Sequence, residues 1–363
     1  MKSAKEIEVV FEAVPKAPPF SQSTWLRPVV ASFGSHSLVG GHANFDLIDV
    51  VMTSPANSYV ASRMSCDQLL VSADDRNLAS AALDRLVATR PKFAGLQMDR
   101  IHLMGVLNVT PDSFSDSGIN LSPAKAIETG KAMWADGASI IDVGGESTRP
   151  GAEPVTRNQE LARILPPITA LVRDNIRISV DTRHAAVMTR ATVAGASIIN
   201  DVGGLRGDGV MAAAAASRAP VVIMHMQGTP ETMQQSPGYN FAPIDIYEFL
   251  NKRIRAALDA GIPASAIAVD PGFGFGKSVT HNLQLVNWLS LFQGLGVAVL
   301  FGASRKSTIA KLSNGEPPKD RLPGSLALAM AAWRQGVNII RVHDVAETAQ
   351  ALSIESALRT ADC

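Results

Sequence analysis

Acidic and amide side chains recur at the ends of short apolar runs in the later part of this 363-residue chain. Asp181 closes the run in IRISVDT, Asn200 and Asp201 follow the run in VAGASIINDVGG, and Asp270 ends AIAVDPG. Carboxylates and an amide accept and donate in a planar pattern. Asp181, Asn200 and Asp270 therefore suit a guanidine-like edge of a heterocycle, with its paired N–H donors. Buried polar groups of this kind discriminate against ligands that leave them unpaired. A second group is cationic: Arg149 in GGESTRPGA, Lys306 in GASRKST, and Arg341 with His343 in RVHDV. Guanidinium and backbone amide groups fit phosphate oxygens. A heterocycle edge beside a polyanion pocket predicts a pyrophosphate ester as substrate. Simpler roles stay open at this point. Asp181, Asp201 and His225 could cap the following helices, and Arg305 with Lys306 could be a solvated pair.

Two polar loops leave the first two runs, NVTPDSFSDSG (108–118) and GGESTRPGA (144–152). Long polar loops beside a site commonly act as lids, and the first carries an otherwise unneeded Phe114. A third segment, DPGFGFGKS (270–278), holds Phe273 and Phe275; one is expected to wall an aromatic ligand and the other to lie in the core.

One rhythm positions these residues. From about residue 101 a helix-like stretch ends in Gly, a β-branched run follows, and the run ends in a polar residue, as in 135–145, 193–204 and 334–344. Glycine suits the left-handed position that closes a helix, and an unbroken Val/Ile run suits a strand buried on both faces. Further runs at 102–109, 176–182, 219–226, 266–272 and 297–304 make eight strand candidates. Helices are predicted over 123–134, 159–173, 185–193, 244–260, 322–334 and 345–358. Eight strands alternating with helices over this length predict an α/β fold, a (β/α)8 TIM barrel. An open doubly wound sheet alternates similarly, but no GxGxxG follows the first strand. In a barrel the carboxyl ends of the strands share one mouth. That gathers Asn108, Asp142, Asp181, Asn200, Asp201, His225, Asp270, Ser304, Arg341 and His343 on one rim.

Residues 1–90 break the rhythm and predict a small α+β extension of unassigned role, with strands at 45–52 and 58–64 and a helix at 73–88. Residues 91–100 read as a linker, 101–358 as the barrel and 359–363 as a tail. Lys plus Arg and Asp plus Glu both number 33, so no bulk charge favours nucleic acid or an anionic membrane surface. Aromatic content of 5% argues against base-stacking surfaces. The N-terminal stretch mixes Glu6, Glu8 and Glu12 with lysines and has no apolar core of a secretory signal. Two cysteines give neither a disulfide framework nor a zinc site. A cytoplasmic protein is expected.

The segments NVTPDSFSD, ESTRPGA, DTR, IND, MHMQGTP, DPGFGFGK, SRKS and RVHDV occur in this order across nearly all of 101–358. Together they resemble the dihydropteroate synthase family. The resemblance implies a transferase of folate biosynthesis that joins 6-hydroxymethyl-7,8-dihydropterin diphosphate to 4-aminobenzoate, giving 7,8-dihydropteroate and diphosphate. It implies that Asp181, Asn200 and Asp270 hold the pterin, with Lys306 approaching the ring and Met224 and Phe275 packed beside it. Asn108 would coordinate Mg2+, and Arg341 and His343 would bind the leaving group. Thr148, Arg149 and Pro150, with Phe114 and Asp116, would belong to the two closing loops, and Ser307 would receive the aminobenzoate carboxylate. A homodimer and a target of sulfonamide analogues of 4-aminobenzoate are further implications. Ser117 stands where many relatives carry a second Gly. A methyltetrahydrofolate-dependent methyltransferase would share the pterin pattern but not need the anion site; a catalytically silent pterin-binding protein would not need the loops.

Overall fold

The Val/Ile runs after residue 101 pair side by side into a closed barrel of eight parallel strands. A computed structural model describes residues 9–12, 23–31, 34–53, 58–110, 122–147 and 155–361. The extension contains β1 (Val9–Glu12), β2 (Thr24–Ala31), β3 (His36–Ser37), β4 (Asn44–Thr53), β5 (Tyr59–Ser65), α1 (Cys66–Ser72) and α2 (Arg76–Val87). The barrel begins with β6 (His102–Asn108), α3 (Pro123–Ala135), β7 (Ile140–Gly144), α4 (Arg157–Arg173), β8 (Ile178–Asp181), α5 (Ala185–Val193), β9 (Ile198–Asp201) and α6 (Val210–Ser217). It continues with β10 (Val221–Met224), α7 (Ala242–Asp259), β11 (Ile267–Asp270), α8 (Val279–Asn287), β12 (Ala298–Phe301), α9 (Ser307–Leu312), α10 (Leu322–Arg334), β13 (Ile339–Val342) and α11 (Val345–Ala361). β13 pairs with β6 and closes the ring.

Side chains alternate along each strand. Ile141, Val143, Ile178, Val180, Ile199, Val269 and Val299 face the helices and form the main core. Met104, Ile140, Ile198, Val222, Ala268, Leu300 and Ile339 face inward and fill the lower barrel. Phe93 and Met98 join that inner cluster, each 1% exposed. Residues 91–100, read as a linker, thus also plug the amino end of the barrel. Asn338 fastens the plug by donating to the Met98 carbonyl at 2.9 Å.

Five of the six predicted barrel helices begin or end within one or two residues of the expected positions, and α11 runs three residues further. Three of the described barrel helices went unpredicted, and so did α1 of the extension. In α6 an alanine run carries no amphipathic signal, and α9 has only six residues. α8 opens on a Ser278 capping box that uses His281 in place of the usual Glu or Gln.

The extension sheet has the order β1-β5-β4-β2, with β3 paired to β4. Leu26, Ile48, Val50 and Met64 pack under Leu69, Leu83 and Leu86 of α1 and α2. Trp25, Val51, Tyr59 and Ala61, on the opposite face, pack on Phe241, Ile244, Trp288 and Leu291 of the barrel flank. Trp25 donates to Glu248 at 2.9 Å, Ser290 donates to the Pro28 carbonyl at 2.8 Å, and Arg27 lies 4.7 Å from the Trp288 ring centre. The sheet therefore lies between its own helices and the barrel.

Candidate active site

One inward step above the apolar layer, the same alternation replaces hydrocarbon with polar groups. Above Ile140 stands Asp142, above Ser179 Asp181, above Ile198 Asn200, above Ala268 Asp270, and above Ile339 Arg341. Parallel register aligns them: Asp142 is opposite Ser179, and Asp181 is opposite Asn200. The result is a cavity of about 480 Å³ at the carboxyl end of the barrel, lined by Asn108, Asp181, Asn200, Met224, Asp270, Phe275, Lys306, Ser307, Arg341 and His343. All ten predicted site residues that lie among the described ones are brought together here. Phe114, Asp116, Thr148, Arg149 and Pro150 fall outside the described residues.

A guanidinium ties the carboxylates together. Arg341 donates through Nε to Asp142 at 2.7 Å and through Nη2 to Asp181 at 2.8 Å. It is therefore engaged by carboxylates and does more than clamp an anion. Asn200 Nδ2 donates to the same Asp142 oxygen at 3.0 Å. Asp270 accepts from the Gly272 amide at 2.7 Å. Lys306 donates to the Phe273 carbonyl at 2.9 Å and sits 3.7 Å from the centre of the Phe275 ring. His343 Nδ1 lies 3.0 Å from Ser304 Oγ. Met224, Met233, Val202 and Phe275 pack into a small apolar wall. Phe273, 1% exposed, belongs to the core, which divides the two phenylalanines as expected.

Burial governs the charges. It pushes Asp181 up to about 7, against the pull of Arg341, with Asp142 adding to the rise. Burial also raises Asp270, while the Gly272 amide and Lys306 oppose it. Lys306 falls to about 7 through burial, resisted by Asp270. Burial would lower Arg341, but Asp142, Asp181 and Asp270 outweigh it and hold it above its ordinary value. Acids pushed up and an amine pushed down in one desolvated cavity are a functional-site signature.

The alternative roles resolve. His184, not Asp181, is the N-cap of α5. Asp201 accepts from the Gly203 and Leu205 amides at 2.7 Å each, so it shapes a turn; Gly209 precedes α6. His225 is buried and faces Lys277 Nζ at 3.0 Å. Lys277 also donates to the Gly272 and Phe275 carbonyls, which fixes the loop bearing Phe275. Gly272 has φ +71°, and a Cβ there would stand 1.9 Å from the His225 carbonyl oxygen. Arg305 lines the cavity beside Lys306 but is paired with Asp344, so the two are not a solvated pair.

Asn108 and Asp181 flank Gly144: a Cβ there would lie 3.4 Å from Asn108 Oδ1 and 3.5 Å from Asp181 Cβ. Among the described residues no group of three His, Cys, Asp or Glu side chains could hold a metal. One neutral amide oxygen beside a carboxylate fits a Mg2+ ion that keeps most of its ligands as water and substrate phosphate.

Sequence reasoning placed Asp142 on the rim without giving it a role; its inward spacing from Ile140 was the available signal. Met233, Gln234 and Arg321 also line the cavity. They reach it from loops and a helix start, where no periodicity announces them.

The family of pterin binding enzymes matches residues 104–343. The chain is 45% identical over 267 residues to the Escherichia coli protein named dihydropteroate synthase, covering 73% of this chain and 94% of that one. A Yersinia pestis dihydropteroate synthase in complex with a sulfonamide drug superposes with a TM-score of 0.71 at 45% identity, covering 73% of this chain and 96% of that one. A Haloferax volcanii protein named a probable bifunctional folylpolyglutamate synthase/dihydropteroate synthase is 36% identical over 354 residues, covering 93% of this chain and 42% of that one. That match must reach into the extension, because the barrel alone is shorter. Barrel, rim residues and relatives agree: this chain belongs to the pterin-binding enzymes and, within them, to the dihydropteroate synthases.

Proposed function

We propose that the chain carries out the dihydropteroate synthase reaction by dissociative displacement inside the described cavity. The pterin ring lies against Met224 and Phe275, its N–H donors directed at Asp181, Asn200 and Asp270. The bond between the exocyclic methylene carbon and the diphosphate oxygen breaks first, and diphosphate leaves with the electron pair. The methylene is then cationic and conjugated with the ring. Asp181 and Asp270 stabilise that charge as it forms, in a site where burial strengthens every charge interaction. The 4-aminobenzoate nitrogen forms the new C–N bond, and the resulting anilinium gives its proton to water or to released diphosphate. The arylamine is neutral near pH 7, so no strong general base is needed. Arg341 and His343 receive the diphosphate, and Ser307 the aminobenzoate carboxylate. Asn108 would hold Mg2+, which when bound supplies positive charge to the diphosphate oxygens. Closure of the segments bearing Phe114, Asp116, Thr148, Arg149 and Pro150 would keep water from the cation.

The observation that carries this reading is the meeting of Asp181, Asn200, Asp270, Lys306 and Arg341 around one cavity. Diphosphate release is measured with the pterin diphosphate, with and without 4-aminobenzoate. Sustained release with dihydropteroate formed in the presence of 4-aminobenzoate, and at most about a single round of release in its absence, is expected; substrate left intact under both conditions overturns the reading. A cytoplasmic homodimer is part of the same proposal. An apolar groove between α8, α9 and α10, where Leu283 and Leu312 are 40% and 53% exposed, supports an interface there. Light scattering coupled to size exclusion checks it, and a monomeric mass would sink it.

A further inference from the structure

Asp142 is not among the residues that line the cavity, yet it contacts two that are, Asn200 and Arg341. It stands on β7, wholly buried, one inward step above Ile140. Its Oδ2 accepts from Asn200 Nδ2 at 3.0 Å and from Arg341 Nε at 2.7 Å. Its Oδ1 is buried with no hydrogen-bond partner among the described residues, as is the hydroxyl of Ser179, its register neighbour on β8. An Asn side chain offers a donor end and an acceptor end, and only its partners settle which way it turns. Here the partner oxygen already accepts from a guanidinium, so Asn200 must offer Asp142 its NH2. Its carbonyl oxygen is then turned away from Asp142.

We propose that Asp142 is a positioning residue that sets the ring-edge specificity of the site. By holding the Asn200 amide, it presents Oδ1 to the ligand. Asp181, Asn200 and Asp270 then form a recognition edge made of acceptors. Such an edge takes a heterocycle with adjacent N–H donors and rejects one bearing a carbonyl oxygen at the same place. Asp142 also holds Arg341 against β7, where the guanidinium bridges to Asp181. This inference rests on the pterin reading of the cavity.

The test compares binding of 6-hydroxymethylpterin with that of its 2,4-dioxo analogue, in which a carbonyl replaces the ring amino group, by titration calorimetry on the full chain. The wild type is expected to prefer the pterin by 100-fold or more. In Asp142→Ala the acceptor is gone, the Asn200 amide is free to turn, and the preference is expected to fall below tenfold. Thermal stability alone cannot produce that ratio. An unchanged preference in Asp142→Ala overturns the inference while leaving the pterin reading intact; a wild type that binds neither compound overturns both. Should Asp142→Ala fail to fold, Asn200→Asp tests the same contact. It places two carboxyl groups within hydrogen-bond reach that must share a proton. Pterin affinity should then fall at least tenfold more than in the wild type between pH 6 and 8. A profile parallel to the wild type overturns the inference.

Discussion

Asp181→Asn separates catalysis from folding. In the folded chain burial raises the Asp181 carboxyl from 3.8 to about 7. Between those two values the folded state therefore binds more protons than the unfolded one. Stability must fall as pH rises through that window and stay flat above it. At pH 8 the native state carries the full cost of a buried charge, on the order of a few kcal/mol. Asparagine has the same shape and carries no such cost. Arg341 keeps its 2.7 Å contact with Asp142 in the variant. Asp181→Asn is thus expected to match or exceed wild-type stability at pH 8, with the gain shrinking toward pH 5. The electrostatic help to a cationic methylene is lost, which in a desolvated site costs about 3–4 kcal/mol, or about 10²–10³ in kcat. Stopped diphosphate-release assays give kcat, and urea midpoints at pH 5 and pH 8 give stability. Turnover within threefold of wild type refutes the catalytic role. A urea midpoint that drops at pH 8 refutes the account of the buried charge.

Three further changes probe the surroundings. Glu160, buried on α4, has its carboxyl raised from 4.5 to about 7, chiefly by burial and further by Glu146. Glu160→Gln should stabilise the fold at pH 8, where the wild type pays the full cost, and the difference should vanish near pH 4.5, as read by urea midpoints. Lys277→Met strands the Gly272 and Phe275 carbonyls and His225 Nδ1. At about 1–3 kcal/mol for each unsatisfied group, a total loss of about 3–9 kcal/mol is expected, with pterin KM raised at least tenfold as the Phe275 wall loosens. An unchanged KM would separate Lys277 from the wall. Removing residues 1–90 uncovers Phe241, Ile244, Trp288 and Leu291. Light scattering should show aggregation at concentrations where the full chain is clear, while the soluble fraction keeps kcat within about threefold because none of the extension's described residues lines the cavity.

The barrel was legible because its strands are short apolar runs ended or followed by a polar residue, several of them preceded by a helix-closing Gly. This pattern records burial on both faces and needs no partner to be seen. The rim residues were legible for the same reason: Asp181, Asn200 and Asp270 follow the inward beat of their own strands. The strand at Thr24–Ala31 was not visible, since Arg27 and Pro28 interrupt it and its apolar face is completed by Trp288 and Leu291, some 260 residues away.

Periodicity by itself determined eight buried strands alternating with helices and the identities of the polar groups at their ends, because alternation is a local property of a strand; that the sheet closes is decided by the pairing of β13 with β6. Tertiary structure alone decided how those groups are wired. Arg341 lies 199 residues from Asp142 and 160 from Asp181, yet contacts both. Local sequence cannot encode that contact, nor the turn of the Asn200 amide, nor the raised Asp181 carboxyl. Each depends on which distant partner is near and on how completely water has been removed.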